Sequence, residues 1–198
     1  MRSSKRTFSL LVLLCGCAVP NPVVVTPSFQ ATPALFERNP SDIAVLQVED
    51  GTADGAASRL CGLMRQVLMS HLPDRLYAPL SARVVDAALS DDRPAEGQTA
   101  LSPAYLKRIG GKVREDAVLA VRIDRWDESS ILVDNRVRFQ LQAAMSAPDG
   151  ELLWQGGLTG EIKAGGQGAA PRDREAMARS CAEIAMIELL NHLQPRRP

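Results

Sequence analysis

Histidine is nearly missing from this sequence: His71 and His192 are the only two in 198 residues. Each stands near the end of a stretch with helical spacing, where an imidazole meets the negative end of the helix dipole. Two remote histidines without clustered carboxylates do not make a metal site, so no metal or other cofactor is expected. Cysteine is scarce too, with four in all. Cys61 and Cys181 are far apart and neither belongs to a Cys-x-x-Cys pair, which argues against zinc and thioredoxin-like chemistry. No apolar run approaches the ~20 residues of a membrane-spanning helix. The formal net charge is zero, and no basic stripe of the kind that nucleic acid requires is found. There is no Gly-x-Ser-x-Gly and no cysteine placed beside a histidine, so nucleophilic catalysis has no signature here.

What the chain does have begins at its amino terminus. Arg2, Lys5 and Arg6 precede the apolar run from Phe8 to Leu14, and small residues follow, the three parts of a secretory signal. Leu14-Cys15-Gly16-Cys17 matches a bacterial lipoprotein processing site, with a small residue directly before Cys17 and a branched apolar residue three positions before it. Residues 1–16 are therefore expected to be the signal peptide, and Cys17 the lipidated terminus. An ordinary cleaved signal or an uncleaved anchor is the alternative. Acyl chains on Cys17 would be the membrane attachment, since two or more chains make anchoring stable. Ala18 is not Asp, which in enteric-type sorting directs a lipoprotein to the periplasmic face of the outer membrane. Without Arg2, Lys5 and Arg6, the 23 basic residues fall to 20 against 23 acidic ones.

Prolines at 20, 22, 27, 33 and 40 predict an extended tether over residues 17–40. A single periplasmic domain over 41–195 and a short tail over 196–198 are expected to follow. Ile43 to Val48 is a near-continuous apolar run, the pattern of a buried strand. Ala57, Cys61, Met64, Leu68 and Leu72 share one helical face. Leu76 to Leu80 predicts a short strand at an edge, because it holds Pro79. Ser81 is placed to cap a helix to Leu89, and Pro103 opens another that stops at Gly110-Gly111. Asp116 to Trp126 is the most strand-like run. Arg136 to Ala143 alternates strictly, and Pro148-Asp149-Gly150 turns into a strand from Glu151. A helix from about 171 to 193 closes the chain. The fold class is α/β (α+β): a mixed sheet of about five strands in the order β-α-β-α-α-β-β-β-α, ending in an antiparallel meander and a closing helix.

Four groups of residues are singled out. Glu49-Asp50 and Asp124, Asp127 and Glu128 follow strand ends, where either solvated loop charges or an acid/base pair would stand. The glycines at 165, 166 and 168 precede a helix. They lack the Gly-Lys-Ser/Thr ending of a phosphate loop and read as a connection. Trp126 with Arg122 and Asp124 is a candidate partner-docking surface, since Trp and Arg anchor interfaces; the alternative is that Trp126 and Trp154 cover the core. Cys61 and Cys181 lie on helices expected to pack together, which makes them either a candidate disulfide or two buried thiols.

The run of Ile43-Ala-Val-Leu, Asp116-Ala-Val-Leu-Ala-Val-Arg-Ile-Asp-Arg-Trp126 and Asp149-Gly-Glu-Leu-Leu-Trp154, behind a lipoprotein site, resembles a family of bacterial lipoproteins of unknown function. Their domain is similar to the amino-terminal α/β domain of TolB, and some are encoded beside a CsgG-like secretion lipoprotein. Arg114-Glu115-Asp116-Ala117 stands where that family usually has Gly-Ala-Asp-Ala. The resemblance covers residues 40–193 and implies a non-catalytic, lipid-anchored accessory of an envelope assembly or transport complex. Its implied partners are envelope proteins, among them CsgG-like ones. The rival expectations are a carrier or chaperone for a hydrophobic or peptide ligand, and a periplasmic hydrolase.

Intact-mass analysis of the membrane-extracted protein is expected to give an amino terminus at Cys17 carrying acyl chains. Cys17→Ala is expected to leave the chain unprocessed or without acyl chains.

Overall fold

The computed structural model describes residues 23–164 and 173–198. The signal peptide, Cys17 and the glycine-rich stretch from 165 to 168 lie outside the described residues. Seven strands form one sheet. They are β1 (Val23–Ala31), β2 (Asp42–Val45), β3 (Glu49–Asp50), β4 (Ala78–Pro79), β5 (Ala117–Asp127), β6 (Arg136–Ser146) and β7 (Leu152–Lys163). The helices are α1 (Pro33–Arg38), α2 (Ser58–His71), α3 (Ala82–Ala88), α4 (Pro103–Ile109), α5 (Ile131–Asp134) and α6 (Arg174–Asn191), and a 3-10 turn spans Leu72–Arg75. The sheet order is β1-β7-β6-β5-β2-β4, with β3 also paired to β5. β2 and β3 run parallel to β5, and β5, β6, β7 and β1 are antiparallel in turn. The expected succession of strands and helices and the final meander are all present. The count rises from about five strands because β1 and β3 join the sheet.

The alternation in β6 sets the layers. Val137, Phe139 and Leu141 are buried while Arg136, Arg138, Gln140 and Gln142 are exposed. The buried rows of β5, β6 and β7 face α2 and α6, which pack side by side and carry Leu60, Met64, Leu68, Ala178, Cys181, Ala185 and Met186 into the main core. On the opposite face, α3 and α4 cover β2 and β5 through Val85, Tyr105, Leu106 and Ile109 against Ala44, Leu46, Val118 and Ala120. The molecule therefore has three layers over β2 and β5.

Residues 23–38 depart from the expected tether: nine of them make β1 and six make α1. Edge strands admit proline because part of their N–H row has no partner strand, and Pro27 lies in such a strand. Pro33 sits in the first turn of α1, where its missing N–H costs nothing. Phe29 of β1 stacks between Trp154 (centroids 5.0 Å apart) and His192 (4.9 Å), contacts worth about 0.5–1.5 kcal/mol each beyond burial. Gly156 and Gly160 admit the strand: a Cβ at Gly156 would meet the Ser28 carbonyl oxygen at 2.4 Å, and one at Gly160 the Val24 carbonyl oxygen at 2.5 Å. The C-terminal residues, expected as a tail, are hydrogen-bonded to the domain. The Arg196 N–H donates to the Arg75 carbonyl at 2.9 Å, and the Arg197 N–H donates to Asn39 Oδ1 at 3.0 Å.

Gly156→Ala is expected to push β1 off β7 and to cost about 1–3 kcal/mol, as overpacking does. That corresponds to a melting temperature lower by roughly 2–12 °C for a chain of this size. New protease cleavage is expected within 23–31, and cleavage unchanged from wild type would show that β1 tolerates the methyl group.

Candidate functional site

The parallel strands β3 and β5 deliver their carboxyl ends to one edge of the sheet, the place where open α/β sheets hold ligands. A cleft of about 670 Å³ lies there, lined by Thr52, Asp54, Arg59, Asp124, Asp127 and Arg174 among others. Its floor is the carboxylate of Glu128, whose side chain is 5 % exposed. Glu128 Oε1 accepts from Trp126 Nε1 at 2.8 Å and from Arg59 at 2.5 Å, and Oε2 accepts from Arg174 Nε at 3.0 Å. Burial alone would push the Glu128 carboxyl up; the hydrogen bonds from Trp126, Arg59 and Arg174 outweigh it and hold the pKa below the usual range. A carboxylate so saturated with donors is held ionised, and it ties β5 to the first turns of α2 and α6. Its neighbour Asp127 is pulled down to about 2, chiefly by hydrogen bonds from Ser129. Asp50 accepts from the Thr52 N–H at 2.9 Å, the Thr52 hydroxyl at 2.6 Å and the Ser58 hydroxyl at 2.6 Å. The acidic groups at the strand ends are thus engaged with neighbouring donors.

Of the expected docking surface, the structure keeps two residues together and removes the third. Arg122 and Asp124 lie on the outer face, ion-paired at 3.2 Å with Glu49 at 3.7 Å. Trp126 is only 5 % exposed and packs near Phe139 (centroids 6.4 Å apart). Simple alternation would put Trp126 on the face of Arg122 and Asp124. The register instead slips between Ile123 and Arg125, and this bulge turns Arg125 outward and Trp126 into the core. Arg59 and Arg174 had no signal in the sequence, because both meet Glu128 only through packing of three distant elements. Cys61 and Cys181 are free thiols, and the candidate disulfide is not formed in the structure. Cys61 Sγ donates within its own helix to the Ala57 carbonyl at 3.5 Å. Burial pushes the Cys61 thiol up to about 11 and the Cys181 thiol up to about 12, so both resist conversion to the thiolate that exchange needs. His71 Nδ1 is hydrogen-bonded to Asp74 at 2.9 Å, and His192 Nε2 lies 3.5 Å from Glu188. Among the described residues, no group of three or more His, Cys, Asp or Glu is placed to hold a metal ion, and no helix is long and apolar enough to cross a membrane.

Further concavities lie among the described residues. A groove of about 1020 Å³ crosses the outer face of β1, β7 and β6. The register places Thr26, Thr159 and Gln140 in one row, Ser28, Gly157 and Gln142 in the next, and Gln30, Gln155 and Ala144 in a third. This surface is polar and without charge. A smaller pocket of about 510 Å³, lined by Leu46, Val48, Val85, Leu89, Pro94 and Tyr105 among others, lies under the loop after α3. Its rim is stiffened by Glu49 Oε2, which accepts from the Ala100 N–H at 2.6 Å.

Glu128→Gln is expected to cost about 1–3 kcal/mol at neutral pH, the scale of charge-assisted hydrogen bonds whose cationic partners can still reach water. The folded-state pKa lies below the unfolded value of about 4.3, so this contribution is present above that value and is lost as pH falls through the folded one. The gap in melting temperature between wild type and Glu128→Gln should therefore close below about pH 4.

The sequence matches no family model and no curated protein. Solved structures resemble it in shape. The PelC dodecamer from Paraburkholderia phytofirmans is 15 % identical, with 87 % of this chain and 100 % of that one aligned at a TM-score of 0.50. Lipoprotein GNA1162 from Neisseria meningitidis is 19 % identical over 77 % of this chain and 99 % of that one, at 0.45. LpoB of E. coli is 13 % identical over 82 % of each chain, at 0.43. At such identities the likeness is one of fold, and the described part of this chain is a mixed α/β domain of the shape that the PelC subunit adopts.

Proposed function

We infer that the protein is a lipid-anchored lipoprotein on the periplasmic face of the outer membrane, acting as a non-catalytic docking component of an envelope assembly or transport complex. The observation that carries this reading is the uncharged groove across the middle of the outer face of β1, β7 and β6. Its glutamine amides and threonine hydroxyls offer both donors and acceptors along a groove of about 1020 Å³. Groups of this kind pair with a peptide backbone without the desolvation cost of buried charge. The amino-terminal lipoprotein site and the resemblance to TolB-like lipoproteins support the same reading, with a CsgG-like export lipoprotein as the candidate partner. The fold shared with PelC, a protein described as a dodecamer, is compatible with a role in a larger assembly. A carrier role is the second reading, favoured by the pocket under the loop after α3, where Leu46, Val48, Val85 and Leu89 stand beside Glu49, Asp86, Asp92 and Arg93.

A photo-crosslinking residue at Gln142, installed in the full chain in its native envelope, is expected to give a discrete adduct with an envelope protein. The double variant Gln142→Arg, Thr159→Arg is expected to abolish the partner's co-purification with a melting temperature within about 2 °C of wild type, because surface changes cost little. Absence of any protein adduct, together with a co-purified small molecule in native mass spectrometry, would overturn docking in favour of carriage.

A further inference from the structure

The end of the sheet where β1 begins is also where β7 ends, where β6 begins and where α5 links β5 to β6. Val23 lies opposite Ile162, and Ile162 opposite Val137, so the first residue of β1 stands two strand spacings, roughly 10 Å, from the start of β6. α5 fills the connection at this end. Its Ile131 is buried, while Leu132 is 62 % and Val133 83 % exposed. Val24 is 71 % exposed and sits in the outer row with Glu161 and Arg138. These are three of the most exposed large apolar side chains of the described residues, and the topology brings all three to one end of the sheet. Basic residues accompany them. Arg136 and Arg138 flank Glu161 at 2.9 and 3.2 Å, and Lys163 is exposed at the last position of β7.

We propose that this end of the sheet, which carries Val24, Leu132 and Val133 together with Arg136, Arg138 and Lys163, rests on the phospholipid surface that holds the acyl chains. The inference rests on lipidation of Cys17. Only five residues, 18–22, separate Cys17 from β1, and a fully extended chain advances at most ~3.6 Å per residue. The start of β1 is therefore held within roughly 20 Å of the bilayer, where a detached tether of more than twenty residues would have left the domain free to roam. Exposed apolar side chains with Arg136, Arg138 and Lys163 at the same end, alongside the acidic Glu161 and Asp134, suit the interface between headgroups and acyl chains, the cations meeting lipid phosphates. In this orientation the opposite end of the sheet, with the Pro148-Asp149-Gly150 turn, points into the periplasm. The groove across β1, β7 and β6 stands upright on the membrane and open to a partner.

The test uses the full acylated protein in vesicles of phosphatidylethanolamine and phosphatidylglycerol with brominated acyl chains. Trp126 and Trp154 are buried, so a tryptophan added at the surface is read by difference from wild type. Val133→Trp is expected to show added emission that shifts to the blue on vesicle binding and is quenched by the brominated chains. Val84→Trp, on exposed α3 at the far side of the sheet, is expected to show neither change. Flotation and intact mass are measured on the same samples. Unquenched emission from Val133→Trp in protein that floats and carries acyl chains on Cys17 would overturn the orientation and leave the lipidation reading standing. Protein without acyl chains would overturn both. A blue shift of Val133→Trp before vesicles are added, accompanied by a doubled mass in solution, would assign the patch to a second copy of the chain and overturn the membrane contact.

Discussion

The ladder between β1 and β7 governs what the amino-terminal end of this molecule can do. Nine residues that could have formed a free tether are instead paired along their whole length. Phe29 is clasped between Trp154 and His192, and two glycines of β7 make room for the incoming strand. Each part depends on the others: without the glycines the strand cannot approach, and without the strand Trp154 would lose its stacking partner. The consequence is mechanical. A pull on the chain at residue 22 is delivered to the edge of the sheet rather than to a slack linker.

The sheet then divides the surface into regions of different character. Over β2 and β5 the outer face is covered by α3 and α4, and the central strands are buried on both sides, as their apolar runs require. Over β6, β7 and β1 the middle rows of the outer face are glutamine, threonine, serine, glycine and alanine, and charge returns only in the end rows with Arg136, Arg138, Glu161 and Lys163. At the carboxyl ends of β3 and β5 the charges are numerous but bound to one another, with Glu128 holding Arg59, Arg174 and Trp126 together. Buried charge of this kind fixes the meeting of three elements more than it adds stability, because its desolvation cost offsets much of the attraction.

The pattern of residues was enough to establish much of this. Strict alternation in 136–143 identified β6 and both of its faces, the 3-4 spacing of Ala57, Met64, Leu68 and Leu72 identified the buried side of the first long helix, and the proline–glycine turn after β6 identified the hairpin. These are local signals, in which the period of the side chains reports which side meets the core. The lipoprotein site proposed at Cys17 rests on the sequence alone, and the tryptophan strands were likewise legible there. Tertiary structure decided the rest. Val23–Ala31 looked unfit for a sheet because of Pro27, and only the availability of the edge of β7 made it a strand. Trp126 shared the phase of Arg122 and Asp124 until one extra residue in β5, whose effect exists only relative to β6, rotated it inward. Arg59 and Arg174 converge on Glu128 from 69 and 46 positions away, a distance across which no spacing rule operates. The grouping of Val24, Leu132 and Val133 at one end of the sheet follows from which strands pair and in what direction, because strand order is set by long-range contacts that the sequence of any single element does not carry.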